Sequence, residues 1–310
     1  MRVLISGATG MIGLAVAAAL RARGDQVVAL SRDPEHGQRA LGAGAEVHAW
    51  PRPSAEPPPV EALAGVHAVV NLLGEPVAQR WTREAKQRIR NSRVLATRAL
   101  VVALLELPDG ERPEVLVSQS ATGYYGPRGD DELDEQASAG DDFLARVVVE
   151  WEHEALAAAA GMRVVRTRTG VVLSSAGGAL AKMLPFFKLG IGGPVAGGRQ
   201  YVPWIHLDDV VGALLRCVDD ETARGPVNVV APNPVTNAEL SHALGRVVRR
   251  PAVLPVPALA LKLLYGEMAE IVTTGQRVIP ARLTELGYAF GQPEIEPALR
   301  DALREGVIPS

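Results

Sequence analysis

Residues Met1 to Arg32, MRVLISGATGMIGLAVAAALRARGDQVVALSR, decide how this chain folds. Val3, Leu4 and Ile5 form a short apolar run that meets three glycines, Gly7, Gly10 and Gly13. A helical pattern rich in alanine and leucine continues to Arg23, then comes Gly24, then a second apolar run from Val27 to Leu30. The pattern predicts a strand–turn–helix–strand unit with its glycines at the first turn, the context a dinucleotide fingerprint requires. The spacing is G-x-x-G-x-x-G rather than G-x-G-x-x-G. Glycine at such a turn lets the backbone approach a pyrophosphate, and the helix N-terminus adds N–H donors and the positive end of its dipole. The predicted cofactor turn is Gly7, Thr9, Gly10, Met11, Ile12 and Gly13. The competing reading is a glycine-rich helix start without a ligand.

The end of the second run bears on which dinucleotide is bound. Many NAD-binding units place an acid there for the ribose 2′-hydroxyl, whereas an arginine accommodates a 2′-phosphate. Here Arg32 takes that place with the hydroxyl of Ser31 beside it. A charge-assisted hydrogen bond to phosphate is worth on the order of 1.5–3 kcal/mol, roughly ten- to a hundredfold in affinity, so NADP is favoured over NAD. Asp33 complicates this, because an inward-pointing carboxylate would repel the phosphate.

Further along, a helix-length stretch (Gln38 to Leu41) and a strand (Ala45 to Trp50) precede the loop PRPSAEPPP, which proline keeps irregular. Val66 to Leu73 reads as a buried parallel strand ending in Gly74-Glu75-Pro76, which makes Leu72 and Leu73 cofactor contacts at the carboxyl edge of the sheet. Thr82 to Leu105 has helical composition with Thr82 as its cap, and Arg93 within it faces the sheet end. Val115 to Ser118 is another strand, leading into Gln119-Ser120-Ala121-Thr122-Gly123-Tyr124-Tyr125-Gly126, where hydroxyls and phenols gather. Asp130 to Glu135 reads as a solvated acidic loop, Asp142 to Ala159 as a helix, and Arg163 to Val165 as the start of a sixth strand. Strands alternating with helices predict an α/β fold, a doubly wound parallel sheet of Rossmann type. The expected organisation is a nucleotide-binding domain over residues 1–235, with substrate-side insertions from about 170, and a helical extension over 236–310 that completes a substrate cleft.

Composition removes several function classes. The chain has 310 residues, 47% of them apolar, and a net charge of −3 with the signs mixed, so no extended nucleic-acid surface is expected. No apolar run approaches the roughly 18 residues of a membrane span, and MRVLISG is too short for a signal-peptide core, so no membrane partner is expected. The single cysteine, Cys217, excludes an internal disulfide and agrees with a cytoplasmic location. No His/Cys/Asp/Glu cluster shows metal-ligand spacing along the chain. The partner expected is a small-molecule substrate, and the sequence leaves a homo-oligomer open.

The ordered motifs GATGMIG, LSR, NLLGEP, RWT, NSRVLAT, SATGYYG, DFLARVVVEWE, RTGVVL, GGALAKML, PWIHLDD, PNPVTNAEL and GEM span nearly the whole chain. Together they resemble the epimerase-like atypical short-chain dehydrogenase/reductase proteins with a characteristic C-terminal extension. The resemblance implies an extended short-chain dehydrogenase fold and NADP binding. It places Ser31 and Arg32 on the 2′-phosphate and Leu72 and Leu73 along the adenine and ribose. Arg93 stands where related enzymes, in the pattern N-V-x-G-T, carry Asn.

One departure matters more than the match. Competent relatives use Tyr-x-x-x-Lys, in which the lysine lowers the tyrosine pKa so that the phenol acts as acid and base. Here the frame reads Phe143-Leu144-Ala145-Arg146-Val147, and no tyrosine lies between Asp141 and Glu152. Either acid/base work moves to Ser120, Tyr124 and Tyr125, or the protein is a silent NADP(H)-binding sensor or scaffold. The two tyrosines also admit a packing role. On the substrate side, Val202 stands where related epimerases carry an arginine, though Arg199 is close in sequence. His206 and Asp209 read as a helix cap plus a buried, satisfied histidine in preference to a catalytic pair.

Overall fold

A computed structural model describes residues 1–304. Seven strands form one parallel sheet: β1 (Arg2–Ser6), β2 (Gln26–Ser31), β3 (Ala45–Ala49), β4 (Ala68–Asn71), β5 (Val115–Ala121), β6 (Arg163–Thr169) and β7 (Gly225–Val229). Their order across the sheet is β7-β6-β5-β4-β1-β2-β3. The order reverses between β1 and β4, so a crevice opens beyond the carboxyl ends of these two strands, where doubly wound sheets bind ligands.

The helices used below are α1 (Met11–Ala22), α2 (Pro34–Leu41), α3 (Arg83–Asn91), α4 (Val94–Leu105), α5 (Phe143–Leu156), α6 (Gly178–Lys188), α7 (Leu207–Asp219), α8 (Asn237–Val248) and α9 (Ala258–Tyr265). Successive strand residues point to opposite faces, and the apolar runs supply both. Val3 and Ile5 pack with Val16, Leu20 and Leu214 beneath α1 and α7. Leu4 and Leu116 pack with Leu100 and Leu104 of α4 on the other face. Local signals set the helix starts. Thr82 caps α3 by accepting the Ala85 N–H (3.2 Å), Asp142 caps α5 by accepting that of Ala145 (2.9 Å), and Thr236 with Glu239 closes a capping box on α8.

Two expectations need correction. The stretch Thr82 to Leu105 is two helices, broken at Ser92 and Arg93. The Ser92 hydroxyl accepts the Glu75 N–H and donates to the Ile89 carbonyl, while Arg93 Nη1 donates to the same carbonyl, so side chains end α3 and turn the chain. The acidic stretch Asp130 to Glu135 is solvated only at its start. Glu132–Leu133 pairs in parallel with Arg277–Val278, Leu133 is buried, and Glu135 accepts the N–H groups of Asn228 (2.8 Å) and Arg282 (3.1 Å). The C-terminal extension supplies this second strand and one of those donors, neither of which local sequence reveals.

Residues beyond 236 are shared among three buried clusters, one of them joining Val278 to Tyr125, Leu133 and Val230. Leu244 of α8 and Leu299 of the last helix, Ile295–Arg304, pack with Leu173, Leu180, Phe187 and Trp204. Leu283 and Leu286 instead join the core beneath α1 and α7. Residues 305–310 of the expected extension lie outside the described residues.

Candidate functional site

The first glycine turn lies at the switch point, and its three glycines have different reasons to be there. Gly7 has φ +73°, and a Cβ on it would sit 2.7 Å from the Leu72 carbonyl oxygen at the end of β4. A Cβ on Gly13 would lie 2.4 Å from the Gly7 carbonyl oxygen, so this glycine lets α1 approach the turn. Gly10 is the N-cap of α1 and offers no capping side chain. The first N–H groups of the helix, beginning at Met11, Ile12 and Gly13, therefore keep the donor capacity a phosphate needs. Across the turn, Gly177 packs on Met11, and two residues before it the Ser175 hydroxyl is buried with no partner among the described residues. A glycine cradle, an uncapped helix start and an orphaned hydroxyl together suit a phosphate-bearing cofactor.

Below the crevice, buried polar groups join the strand ends. Ser6 Oγ donates to Asn71 Oδ1 (2.6 Å), and Asn71 Nδ2 donates to Thr97 Oγ1 (3.0 Å) and Ser118 Oγ (3.2 Å). Trp151 Nε1 donates to Thr97 Oγ1 (2.9 Å), which ties α5 to the same set. Each member is satisfied, so the ends of β1, β4 and β5 are held rigidly under any ligand.

At the end of β2, Ser31 is buried and its hydroxyl donates to the Asp33 carbonyl (2.7 Å). The Asp33 carboxylate accepts the His36 N–H (2.9 Å) as the N-cap of α2, so its charge is committed to that helix start. Arg32 is exposed, and no hydrogen bond or ion pair holds its guanidinium among the described residues. Leu72 and Leu73 are half-buried beside the Gly7 turn. Arg93 lies under the following loop: Nη1 donates to the Glu75 carbonyl (2.9 Å), the guanidinium sits 5.3 Å from the Trp151 ring centre, and Gly74 leaves it room. Burial pushes Arg93 down to about 10, against the opposing influence of Glu75.

The three predicted acid/base groups have different surroundings. Ser120 is buried, and its hydroxyl donates to Glu152 Oε1 at 2.6 Å. Glu152, on α5, also takes Arg168 in a two-point pair (2.8 and 3.0 Å) and Arg166 at 3.1 Å. Tyr125 is fully buried; its hydroxyl donates to Asn228 Oδ1 (2.6 Å) and accepts from Arg168 Nη1 (3.0 Å). Burial, opposed by the Arg168 charge, pushes this phenol up to about 12. For Arg168 burial acts downward, but the hydrogen bonds and charge of Glu152 outweigh it and raise the guanidinium above its ordinary value. Tyr124 is only half-buried, with Arg168 3.4 Å from its ring centre. Of the three, Tyr124 alone is not fully buried. Glu152 and Arg168 were missed from sequence; the only signal was an acid on the apolar face of α5 with two arginines in one strand.

Phe143 and Val147 occupy the first turns of α5, and Val147 is buried. The Trp81 ring meets Phe143 edge-on at 5.1 Å, and Lys86 Nζ lies 5.0 Å from the Phe143 ring centre. Lys86, on α3 four residues after RWT, also pairs with Glu267 of GEM, which ties α3 to the C-terminal extension. His206 is buried and caps α7 through Nδ1, which accepts the Asp208 N–H (3.2 Å). It is not fully satisfied, since Nε2 has no hydrogen-bond partner among the described residues and Asp301 Oδ2 is 3.7 Å away. His206, Asp208 and Asp301 thus bring ligand-type atoms within 4.8 Å, a cluster hidden in sequence by the distance to Asp301. Because Nδ1 accepts, Nε2 carries the proton in the neutral ring, and the set reads as a proton donor facing an acid. Asp209 is turned away, accepting the N–H groups of Gly291 (2.7 Å) and Gln292 (2.9 Å). Cys217 is buried and its thiol pushed up to about 12 by burial, which makes it inert.

A doubly wound parallel sheet with a glycine turn at its switch point defines a Rossmann-type dinucleotide-binding protein. Residues 3–231 match the NAD dependent epimerase/dehydratase family, and residues 256–302 match a domain of unknown function, DUF1731. The chain belongs to the NAD dependent epimerase/dehydratase family. It is 43% identical over 300 residues to the epimerase family protein MT2273 of Mycobacterium tuberculosis, with 96% of each chain covered. It is 40% identical over 307 residues to the chloroplastic epimerase family protein SDR39U1 homolog of Arabidopsis thaliana, covering 97% of this chain and 86% of that one. The human epimerase family protein SDR39U1 (isoform 2), crystallised with NADPH, superposes with a TM-score of 0.88 at 35% identity, covering 98% of this chain and 99% of that one. No helix among the described residues is long and apolar enough to cross a membrane.

Proposed function

We propose that the chain is an NADP(H)-binding, epimerase-type oxidoreductase that acts on a small molecule without the Tyr-x-x-x-Lys dyad. The observation that carries the cofactor assignment is Arg32, exposed at the end of β2 with no partner among the described residues while Asp33 is committed to the cap of α2. The human relative crystallised with NADPH supports the same assignment. Gly7, Thr9, Gly10, Met11, Ile12 and Gly13 then cradle the pyrophosphate, Arg32 and Ser31 hold the 2′-phosphate, and Leu72 and Leu73 line the adenine side. Arg93 shapes this pocket by fixing the loop after β4. When bound, NADP(H) donates or accepts a hydride. Residues 1–235 hold the nucleotide, and the extension from 236 closes the substrate side, its contact with α3 made through the Lys86–Glu267 pair. Cytoplasmic residence rests on the lone, buried cysteine.

Arg32→Glu is expected to weaken NADPH binding roughly ten- to a hundredfold and to leave NADH within a few-fold, read by fluorescence titration. Equal losses for both nucleotides would remove the 2′-phosphate assignment.

Of the three candidates, Tyr124 is the group left to handle a proton, because Ser120 and Tyr125 are locked into the Glu152 and Arg168 network. Tyr124→Phe should lower turnover at least tenfold with little change in stability. Tyr125→Phe should cost about 1–3 kcal/mol in urea unfolding, since it leaves Asn228 and Arg168 short of a partner in a buried site. A reversed pattern would exchange the roles given to the two phenols. A second reading, binding without turnover, is favoured by the aprotic side chains of Phe143 and Val147. Failure of bound NADPH to lose its fluorescence with any of a panel of aldehydes and ketones would favour it.

A further inference from the structure

Helix α9, ALALKLLY, has no buried residue, although all but one of its side chains are apolar or aromatic. Leu259, Leu263 and Leu264 are 69%, 72% and 65% exposed. The surface continues through Val253 (69%) and Leu254 (49%) to Leu189 (73%) after α6. These pieces are contiguous: Val256 bridges Val195, a Cβ on Gly193 would strike the Leu254 backbone, and Arg250 Nε donates to the Lys188 carbonyl. So much exposed aliphatic surface in one place marks a contact region.

The charges around it are mainly of one sign, the nearest acids being Glu267, which pairs with Lys86, and Glu270, both just past the end of α9. Residues 240–266 contain no aspartate or glutamate, and neither do residues 155–207, although the whole chain carries a net charge of −3. Lys188, Arg249, Arg250 and Lys262 are all exposed along the rim. Arg249 and Arg250, with His242 and Arg246, line an open cleft of about 520 Å³ beside Ala252. Arg246 is the member of this group that an acid, Glu296, neutralises. A second copy of the chain is a poor occupant, because a two-fold contact would set this cationic rim against itself. An anionic lipid surface supplies both an apolar layer for the leucines and phosphates for the rim.

We propose that α9 and the neighbouring residues form a peripheral docking surface for an anionic lipid bilayer. The expectation of no membrane partner rested on the lack of a spanning segment, and a surface contact needs none. The leucines of α9 enter the headgroup boundary, while Lys262 and the Arg249–Arg250 cleft meet lipid phosphates. Glu267, two residues past the end of α9, pairs with Lys86 of α3, so docking lies beside a contact between the extension and α3.

Flotation of the full chain with vesicles of phosphatidylcholine and phosphatidylserine, against phosphatidylcholine alone, tests this. The chain should float with the anionic vesicles and remain behind with the neutral ones, and added salt should weaken the association. Lys262→Gln should lower vesicle affinity about fivefold. Leu263→Asp combined with Leu264→Asp should abolish flotation while NADPH titration stays unchanged, showing an intact fold. Absence of flotation by the unaltered chain overturns the proposal, as does flotation indifferent to the paired leucine change. A dimer in sedimentation equilibrium that Leu263→Asp dissolves would also overturn it and assign the face to a second copy.

Discussion

Glu152→Gln is expected to destabilise the chain by about 3–5 kcal/mol, which for a domain of ordinary stability is a large share of the total. The carboxylate is 4% exposed and holds Arg168, itself 3% exposed, through two hydrogen bonds, while also taking Ser120 and Arg166. The amide keeps the shape but removes the charge, so a guanidinium stays buried without a counter-ion. It also replaces an acceptor with a donor facing other donors. The loss should appear as a lower urea midpoint with an unchanged slope, since no extra surface is exposed in either state. Glu152→Gln with Arg168→Met should recover much of it, because the pair is stabilising only relative to a broken pair. A single variant within about 1 kcal/mol of the parent would show that water reaches the network and that burial does not set its energetics.

The same network shows where reading the sequence runs out. The turn from Gly7 to Gly13, the capping threonines and the strand–helix alternation are local patterns, and the structure forms them close to where the residues place them. The break at Arg93 was not legible, since it depends on the Ile89 and Glu75 carbonyls that the guanidinium meets only after the β4 loop folds over it. Glu135 looked like one more acid in a solvated loop until Asn228 and Arg282, each about a hundred residues or more further on, supplied its donors. Ser120 and Tyr125 stand at the expected strand end, but their burial depends on α5 and β6 together. Strand alternation puts Ser120 on the α5 side, and only the fold brings Glu152 opposite. The absent dyad, by contrast, was visible at once, because an aprotic side chain at Phe143 needs no context to be read.

Gly7→Ala is expected to lower NADPH affinity about a hundredfold, near 2.7 kcal/mol, and to lower stability as well. Two effects combine. At φ +73° a side chain strains the backbone by about 1–3 kcal/mol. The new Cβ would also sit 2.7 Å from the Leu72 carbonyl oxygen, and Leu72 cannot easily retreat because its N–H donates to the Ser6 carbonyl at 3.0 Å. Relief must come from moving the turn, which shifts the N–H groups that face the pyrophosphate. Gly24→Ala separates the two effects. Gly24 has φ +88°, but a Cβ there meets nothing within 4 Å, and the residue lies at the far end of α1. It should show the strain alone, about 1 kcal/mol in unfolding, with NADPH binding unchanged. If Gly7→Ala bound NADPH within a few-fold of the parent, the pyrophosphate would have to lie away from this turn, and the reason for a glycine at that position would be the β4 contact alone.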